Sequence, residues 1–578
     1  MFSASRDYFT GRMFRRQFVP SLISALGLAV GDMADAIVVG QRMGVVGLAA
    51  ISLTLPVFMV INVIMHGFGL GASIRYSTQL ARGEHVEALS GFQGIMLLVP
   101  TLGVLLALAA NLMLTPLLAL LGTVPGDGAL FETSREYLRI VVSGTPVYFA
   151  SYLMNYFLRN ADREKLASFG FTFGNLCDIA LNILFVLVLD MGAAGAALST
   201  VLGQIIAVCI YALGLAARGS ELGFKPFNPS FRGAFGCFRV GFASSSQYLY
   251  SMVFILLANN LLIDMYGSAG VAVFDLVQNA SCLILYIYEG TAKAAQPLLS
   301  TFCGEHNDQG RARTLRLALV WGTLAGGAAI LFVALLPNVV CTVFGIDGAD
   351  AATLGAYALR VFCLGAAFAG ASVVLESYCQ SCGSERPAFW LATFRGALLL
   401  IPMTLLLSRF GPMAFWWLYP ATEFGSLTLF LLIWRGRTAA RDLEAERILR
   451  RTIGSGESEL SGLTAAVEEF CEHWDASPKQ SYFVTMSVEE LCAVIQKKGL
   501  GGRPGVIQVT LIAQPDGVLA LHIRDSAVSF NPFALDARRA GAGADFDPDA
   551  LGVLVVREKA KEFYYRRYQG FNSLIVKI

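Results

Sequence analysis

Charged side chains are scarce in this chain of 578 residues, since Asp, Glu, Lys and Arg make up 15% of it while apolar residues make up 55%. The mean hydropathy is +0.60, a value that excludes an ordinary soluble protein and indicates a membrane protein. An excess of either sign of charge is also lacking, because the formal net charge is only +1. A strongly basic nucleic-acid-binding protein is therefore excluded.

Paired cysteines are lacking as well. The eleven cysteines are scattered through apolar stretches, and only Cys379 and Cys382 have a spacing that suits a metal. We therefore expect neither a disulfide framework nor a zinc site. A cleavable signal peptide is not expected, because the basic start leads into a long apolar segment that is followed by many more. The first segment is predicted to remain as a membrane span.

Long apolar runs dominate the chain as far as Trp434. This part holds 47 charged residues, whereas the last 144 residues hold 38, so the two parts are suited to different solvents. Runs of roughly 20 residues are long enough to cross about 30 Å of hydrocarbon. They are found at 15–40, 50–78, 93–121, 135–159, 167–189, 193–217, 237–264, 270–300, 315–344, 353–380, 387–408 and 412–434. We predict an all-α polytopic membrane protein with twelve transmembrane helices.

The two halves of this part repeat each other. Gly44 and Gly67 match Gly267 and Gly290 at an offset of 223, and a later set that includes Glu164 and Glu385 matches at 221. Matched glycines and charges at a nearly constant offset indicate two six-helix repeats in parallel orientation, with a cleft between them. The predicted domains are a first repeat at 1–220, a second repeat at 221–435, a linker helix at 436–456 and a cytosolic domain at 457–578.

Lys and Arg residues in the loops predict the orientation. They are concentrated at the N-terminus and in the loops on its side, for example Arg218, Lys225 and Arg232. Cytoplasmic loops are enriched in these residues, and an even number of spans places both termini on one side. We therefore expect a multi-pass protein of the plasma membrane whose two termini are cytoplasmic.

Several motifs of the membrane part resemble the multidrug and toxic compound extrusion family of secondary transporters. They are Asp35-Ala-Ile-Val-Val-Gly40, Gly67-Phe-Gly-Leu-Gly71-Ala, Gly192-Ala-Ala-Gly195 and Gly290-Thr-Ala-Lys-Ala-Ala-Gln296-Pro297. The resemblance covers about residues 10–435. It implies a twelve-helix antiporter that exports organic cations or drugs in exchange for sodium or protons.

Carboxylates inside the first-half spans are candidates for the coupling-ion site, since ionisable groups in hydrocarbon are costly and mark pathways. Asp32 and Asp35 share one face of the first helix, and Asp178 and Asn182 share a face of the fifth. A buried carboxylate holds a proton more readily and also binds hard cations. The first helix resembles that of the DinF-like branch, in which a proline precedes the acid by fifteen residues, as Pro20 precedes Asp35. This resemblance implies that the coupling ion is bound by Asp35, Asp178, Asn182 and Thr200. A sodium ion at Asp35 and Asp178 is the one metal expected, and Asp32 is placed in the substrate cleft.

The second half contributes further charged residues. Asp275 and Glu376 are predicted to line the substrate cleft, where an unpaired acid attracts a cationic substrate. Glu289 and Lys293 are four residues apart and are predicted to pair with each other. Tyrosines of the spans, among them Tyr152, Tyr156 and Tyr248, offer faces for cation–π contacts, although packing is the more common role of such residues.

The last part of the chain has the pattern of an α/β sandwich. Helical stretches at 461–474 and 487–499 precede strands at 506–514 and 518–525, and a helix at 551–565 precedes a final strand at 572–578. This order resembles the histidine-kinase-like ATPase domain of small anti-sigma-factor serine kinases.

The resemblance of the tail implies a degenerate nucleotide site. Glu490 matches the water-polarising acid, Asp525 the acid that bonds adenine, and Gly552 the phosphate loop. Val494 stands where the family has a magnesium-binding Asn, and a Val side chain has no metal ligand. We expect a sensor or docking module, in which ATP binding is doubtful and kinase or ATPase activity is not expected.

Three functions are compatible with these patterns. The leading hypothesis is an efflux transporter that exports organic cations or drugs, requires no cofactor, and carries a regulatory tail that a cytosolic protein contacts. The alternatives are a lipid-linked saccharide flippase of the same superfamily and a membrane-anchored sensor or serine-kinase-like signalling protein. A flippase favours a basic cavity, whereas the intramembrane charges here are mainly acidic. A kinase needs the magnesium ligand that Val494 replaces.

Overall fold

The computed structural model describes the chain in ten stretches. They are residues 8–121, 123–216, 222–223, 226–266, 268–343, 349–434, 445–454, 456–514, 516–535 and 548–578. Within the helices the side chains of Asp32, Asp35 and Asp275 lie outside the described part.

Sixteen α-helices make up the described membrane part. In chain order, α1 to α8 are Tyr8–Ala81, His85–Leu112, Leu114–Leu121, Ala129–Ser143, Thr145–Asn160, Glu164–Asn182, Gly192–Ala216 and Ala234–Tyr266. The next eight, α9 to α16, are Ser268–Gly304, Asp308–Leu335, Pro337–Val343, Ala349–Ser381, Glu385–Thr393, Leu400–Ser408, Pro412–Phe415 and Leu418–Trp434. Short π-helical turns at Ile183–Val188 and Phe394–Leu398 extend α6 and join α13 to α14.

Helix α1 contains both of the first two predicted spans in one element, Tyr8–Ala81, of 74 residues. A straight helix of that length would extend about 110 Å. Its two ends nevertheless reach one strand of the tail. The ring of Phe9 lies 4.9 Å from that of Phe571, and a Cβ built at Gly83, just past the other end, would lie 3.7 Å from Ile575. The element therefore folds back on itself.

Eight of the described helical segments are long and apolar enough to cross a membrane. They are Leu53–Ala81, His85–Leu112, Glu164–Val188, Gly192–Ala216, Ala234–Tyr266, Asp308–Leu335, Asp350–Ser381 and Glu385–Ser408. These segments confirm the mostly helical, multi-pass architecture that the composition predicts. Twelve spans remain a prediction.

Contacts between the halves follow the sequence repeat. The hydroxyl of Ser77 lies 3.1 Å from that of Thr301, and Thr78 donates to the carbonyl of Ser300 at 3.4 Å. At the offset of 223, Ser77 corresponds to Ser300 and Thr78 to Thr301. Each residue thus contacts the counterpart of its neighbour, which is the reciprocal pairing expected when two similar units pack about a two-fold axis.

A GxxxG pair forms a second crossing between the halves. A Cβ on Gly71 of α1 would lie 1.8 Å from the carbonyl oxygen of Cys237, and one on Gly241 would lie 2.0 Å from that of Gly67. Helices α1 and α8 therefore touch backbone to backbone, which only glycine permits. This packing explains why glycines recur in the motif at Gly67.

The tail consists of a five-stranded antiparallel sheet with helices on one face. Its strands β1 to β5 are Ile448–Ile453, Ile507–Ala513, Leu519–Asp525, Glu562–Tyr568 and Phe571–Lys577. They are ordered β1-β2-β3-β5-β4. Helices α17 to α19 are Glu457–His473, Pro478–Val494 and Pro548–Lys559. Apolar residues of the helices and of the inner sheet face, such as Val467, Val488, Leu521 and Leu574, form one core.

Two predictions for the tail were wrong. The linker helix predicted at 436–456 is, in its described part, a 3-10 turn at Ala445–Arg447 followed by the edge strand β1. The backbone of β1 pairs with β2 from Ile448↔Ile512 to Ile453↔Ile507. The helix predicted at 551–565 ends at Lys559, and the aromatic stretch that follows is strand β4. Tyr and Phe favour strands over helices, so the pairing of β4 with β5 agrees with the intrinsic preference of its residues.

Candidate functional site

The predicted coupling residues of the first half lie where α6 and α7 pack closely. Asp178 and Asn182 are buried, with 8% and 0% exposure. A Cβ built on Gly203 would lie 2.9 Å from the Cβ of Asp178, so glycine at this position lets α7 approach the carboxylate. Thr200 is one turn away on the same face of α7 and donates to the carbonyl of Ala196 at 3.1 Å.

Helix α1 reaches the same place at the level of Asp35. Val38 and Val39 follow it by about one turn and pack with Val186 and Ala196 in one apolar cluster. Val186 lies one turn after Asn182, and Ala196 one turn before Thr200. The backbone of α1 near Asp35 is therefore adjacent to the α6–α7 pair. The carboxyl groups of Asp32, Asp35 and Asp275 lie outside the described residues.

Glu376 of α12 occupies a polar pocket inside the second half. It is 3% exposed. Its oxygens accept hydrogen bonds from Ser244 at 2.8 Å and Gln247 at 2.6 Å, both on α8. The carboxylate is thus held by two donors between two helices. It does not face an open cleft, and an ion that reaches it must compete with these donors.

A cluster of rings joins the two halves of the membrane part. The imidazole of His66 stacks on Tyr248 with centroids 5.3 Å apart, and its Nδ1 lies 2.9 Å from the hydroxyl of Tyr156. Tyr152 meets the same imidazole edge-on at 5.4 Å. Three of the predicted aromatic residues therefore converge on one histidine. A lone His in an apolar stretch is no signal by itself, so the sequence did not single out His66.

Charged pairs satisfy several other intramembrane groups. Lys293 donates to Glu289 at 3.2 Å, which confirms their predicted pairing. Arg395 makes two hydrogen bonds with Glu423, at 2.8 and 3.1 Å. A buried carboxylate gains most from such a bidentate guanidinium. The partner of Glu423 was not predicted, because the two residues are 28 positions apart.

Arg159 is a second residue that sequence reasoning missed. It is the last residue of the predicted span 135–159, and its side chain is 3% exposed. Its guanidinium donates to Ser21 at 2.7 Å, Ser24 at 3.2 Å and Asn155 at 2.9 Å. Since Ser21 follows Pro20 directly, Arg159 fixes α1 beside its internal proline. The available signal for a polar partner was the pair of serines, Ser21 and Ser24, three residues apart on α1.

Asp525 is the centre of the nucleotide-site candidates in the tail. It is fully buried, and its Oδ1 accepts from the amide of Asn572 at 2.8 Å and from the backbone N–H of Ala527 at 2.9 Å. Burial raises the pKa of Asp525 to about 6, although these two donors oppose the rise. Among the described residues its Oδ2 has no hydrogen-bond partner. A further donor such as an amine would satisfy this buried oxygen.

Glu490 and Gly552 are brought together by α18 and α19. A Cβ on Gly552 would lie within bonding distance of the Glu490 carboxylate. The acid therefore lies directly against the segment that would hold phosphate, and its charge would repel a phosphate oxygen there. Val494, one turn further along, is 2% exposed and belongs to the apolar core. The crowding of Gly552 by Glu490 and the replacement of the magnesium-binding Asn by Val494 therefore affect the same part of the pocket.

Comparisons with known proteins cover both parts. A family model described as MatE matches residues 20–184 and 240–406, together more than half of the chain. A model described as a histidine kinase-like ATPase domain matches residues 455–578. The first model matches twice, once in each half, as the repeat predicts.

Relatives of the membrane part are multidrug proteins. The multidrug export protein MepA of Staphylococcus saprophyticus is 22% identical over 411 residues, which cover 68% of this chain and 86% of that protein. The probable multidrug resistance protein YoeA of Bacillus subtilis is 29% identical over 213 residues, which cover 36% of this chain and 45% of that protein.

Solved structures share the fold of the membrane part. An outward-facing multidrug resistance MATE family transporter of the MOP superfamily has a TM-score of 0.69 at 22% identity, covering 74% of this chain and 95% of its own. The MATE multidrug transporter DinF-BH, in complex with R6G, has a TM-score of 0.67 at 22% identity, covering 74% and 96%.

Proposed function

The chain belongs to the MATE family of multidrug efflux transporters, and from that premise we propose that it exports organic cations or drugs in antiport with sodium or protons. The energy comes from the ion gradient, so the transport cycle requires no cofactor. The protein works in the plasma membrane with its tail in the cytosol, a placement that the Lys and Arg of the tail-side loops support.

The coupling ion binds in the first half, between α1, α6 and α7. The observation that carries this proposal is the close packing of Asp178, Asn182 and the Thr200 face beside the turn of α1 that holds Asp35. Two carboxylates, an amide and a hydroxyl supply only oxygen ligands, the type that sodium and other hard cations prefer. If the coupling ion is a proton, one of these carboxylates would carry it.

Inverted membrane vesicles test the proposal. A sodium gradient and a proton gradient are imposed separately, and uptake of a fluorescent organic cation is followed. We expect one gradient to drive uptake and Asp178→Asn to reduce it at least tenfold. Asp190→Asn is the matched control, because Asp190 is an exposed acid that pairs with Arg42 at 2.7 Å. Absence of cation uptake under both gradients would refute efflux and turn attention to a lipid-linked saccharide.

The tail regulates transport and does not power it. Glu490 crowds the phosphate segment, and Val494 supplies no magnesium ligand, so phosphoryl transfer loses its charge neutralisation. The Oδ2 of Asp525, which lacks a hydrogen-bond partner among the described residues, supports weak, magnesium-independent binding of an adenine-type amine. A cytosolic protein partner of the tail is a further part of this proposal.

A further inference from the structure

The two halves meet along a seam on the surface that faces the tail. The seam is formed by the contacts of Ser77 with Thr301 and of Thr78 with Ser300. Asn160 and the side chain of Gln296 also exchange hydrogen bonds at 3.2 and 3.4 Å. The first residue of each pair belongs to the first half and the second to the second half, so the two halves are in direct contact on this side.

The hairpin of β4 and β5, which we call the tail hairpin (residues 562–577), lies across this seam. At its turn, the backbone N–H of Gln569 donates to Asp162 of the first half at 2.7 Å. The preceding residue, Tyr568, donates to the carbonyl of Pro297 in the second half at 3.2 Å. Thr301 donates to the Tyr568 hydroxyl at 3.4 Å. Neighbouring residues of one turn thus bind opposite halves.

Further contacts anchor the tail on each side of the hairpin. Arg524 of β3 forms an ion pair with Glu305 of the second half, and both side chains are buried. Phe571 packs edge-on against Phe9 at the start of α1. Tyr568 is 2% exposed and shares an apolar cluster with Phe9 and Phe571. The docking contact therefore combines a buried apolar cluster, a buried ion pair and hydrogen bonds.

We propose that the tail hairpin is a clamp that holds the two halves together on the tail side, so that the central cleft opens to that side only after the tail leaves its docking surface. Alternating access requires the halves to rock apart on each side in turn. Opening on the tail side separates Asp162 from Pro297. A rigid two-stranded hairpin bonded to both does not follow this movement. The proposal deepens the transport function above by naming how the tail regulates it.

Hydrogen exchange of the full-length protein in lipid nanodiscs tests docking without any transport assay. Arg524→Glu and Glu305→Arg each leave a buried charge without its partner, and breaking a buried pair strongly weakens a contact. We expect amide exchange at 160–164 and 296–305 to become faster by on the order of 100-fold in each single variant. The double variant restores the pair in reverse and should return exchange to within about threefold of the original.

Lys479→Glu serves as the matched control, because Lys479 is an exposed cation on α18 of the tail. It should change neither exchange nor transport. The clamp would be overturned if single variants release the tail while amide exchange at the seam stays slow. It would also be overturned if the tail is released and the uptake rate of a transporting protein does not change. Release of the tail should speed uptake, so two inactive single variants with a recovered double variant would count against the clamp and for a structural role of the pair. If neither the original protein nor any variant transports, the proposed transport function is wrong. The amide-exchange measurement then still shows whether the tail hairpin holds the two halves together.

Discussion

Gln569 and Asp162 are 407 positions apart in the chain, and the backbone N–H of the first donates to the carboxylate of the second at 2.7 Å. Asp162 lies in a tight turn between α5 and α6, where its φ is +61°. The left-handed conformation is tolerated by Asp better than by most residues. It places the carboxyl group outside the membrane helices, at the point where the tail hairpin turns.

Docking of the tail should weaken as the pH rises. Burial and the nearby Glu164 together raise the pKa of Asp162 from 3.8 to about 7, although the N–H of Gln569 and the guanidinium groups of Arg16 and Arg566 oppose the rise. A carboxyl group whose pKa is higher in the docked state binds its proton more tightly there. The stabilisation is therefore complete below about pH 4 and is lost as the pH rises through about 7.

Energy transfer between dyes at the two chain ends measures the docked fraction between pH 5 and 8. We expect the fraction to fall with pH in the original protein, and Asp162→Asn to remove most of this slope. Asp516→Asn changes an exposed acid of a tail turn and should keep the slope. A profile that is the same in all three proteins would show that Asp162 does not control docking.

Asp35→Asn should abolish ion-driven efflux while the protein still inserts and folds. The amide has the size of the carboxylate but cannot exchange a proton or neutralise a cation. Efflux from proteoliposomes under an imposed gradient is the measurement, with size-exclusion chromatography as the check on folding. Asp190→Asn is again the control, and full efflux by Asp35→Asn would remove this residue from the coupling site.

Gly71→Ala should destabilise the membrane part, because the new methyl group would overlap the carbonyl oxygen of Cys237, 1.8 Å from the built Cβ. Overpacking of this kind costs about 1–3 kcal/mol. Thermal unfolding in detergent should show a lower midpoint. Gly91→Ala is the matched control, since a Cβ on Gly91 meets nothing within 4 Å. Equal midpoints for both variants would mean that α1 and α8 do not cross as closely as described.

Nucleotide binding by the tail should be weak and insensitive to magnesium. Titration of the full-length protein with ATP, with and without magnesium, measures it, and Asp525→Asn should abolish whatever binding is seen. The truncated protein for comparison must end before residue 445, since β1 belongs to the sheet. Magnesium-dependent ATP hydrolysis that disappears together with transport on truncation would make the tail a motor instead.

Much of the architecture was predictable because it depends on local pattern and on repetition. Apolar length predicts spans, and the offset of 223 between Gly67 and Gly290 anticipates the reciprocal contacts of Ser77 and Thr301. The sequence could not predict partners that are distant in the chain, such as Ser244 and Gln247 for Glu376, or Ser21 for Arg159. Short strands next to charged linkers were equally hidden. Strand β1 carries two adjacent arginines, Arg450 and Arg451, and becomes a strand only by pairing with β2.

The tail hairpin follows the sixteen described helices of the membrane part in chain order. A protein chain leaves the ribosome from its N-terminus, and earlier segments fold first. Both halves therefore enter the membrane and close on each other while the residues of the turn, Tyr568 and Gln569, are still unsynthesised or inside the ribosome. The growing chain therefore passes through a stage in which its two halves have folded and the tail hairpin does not yet hold them together.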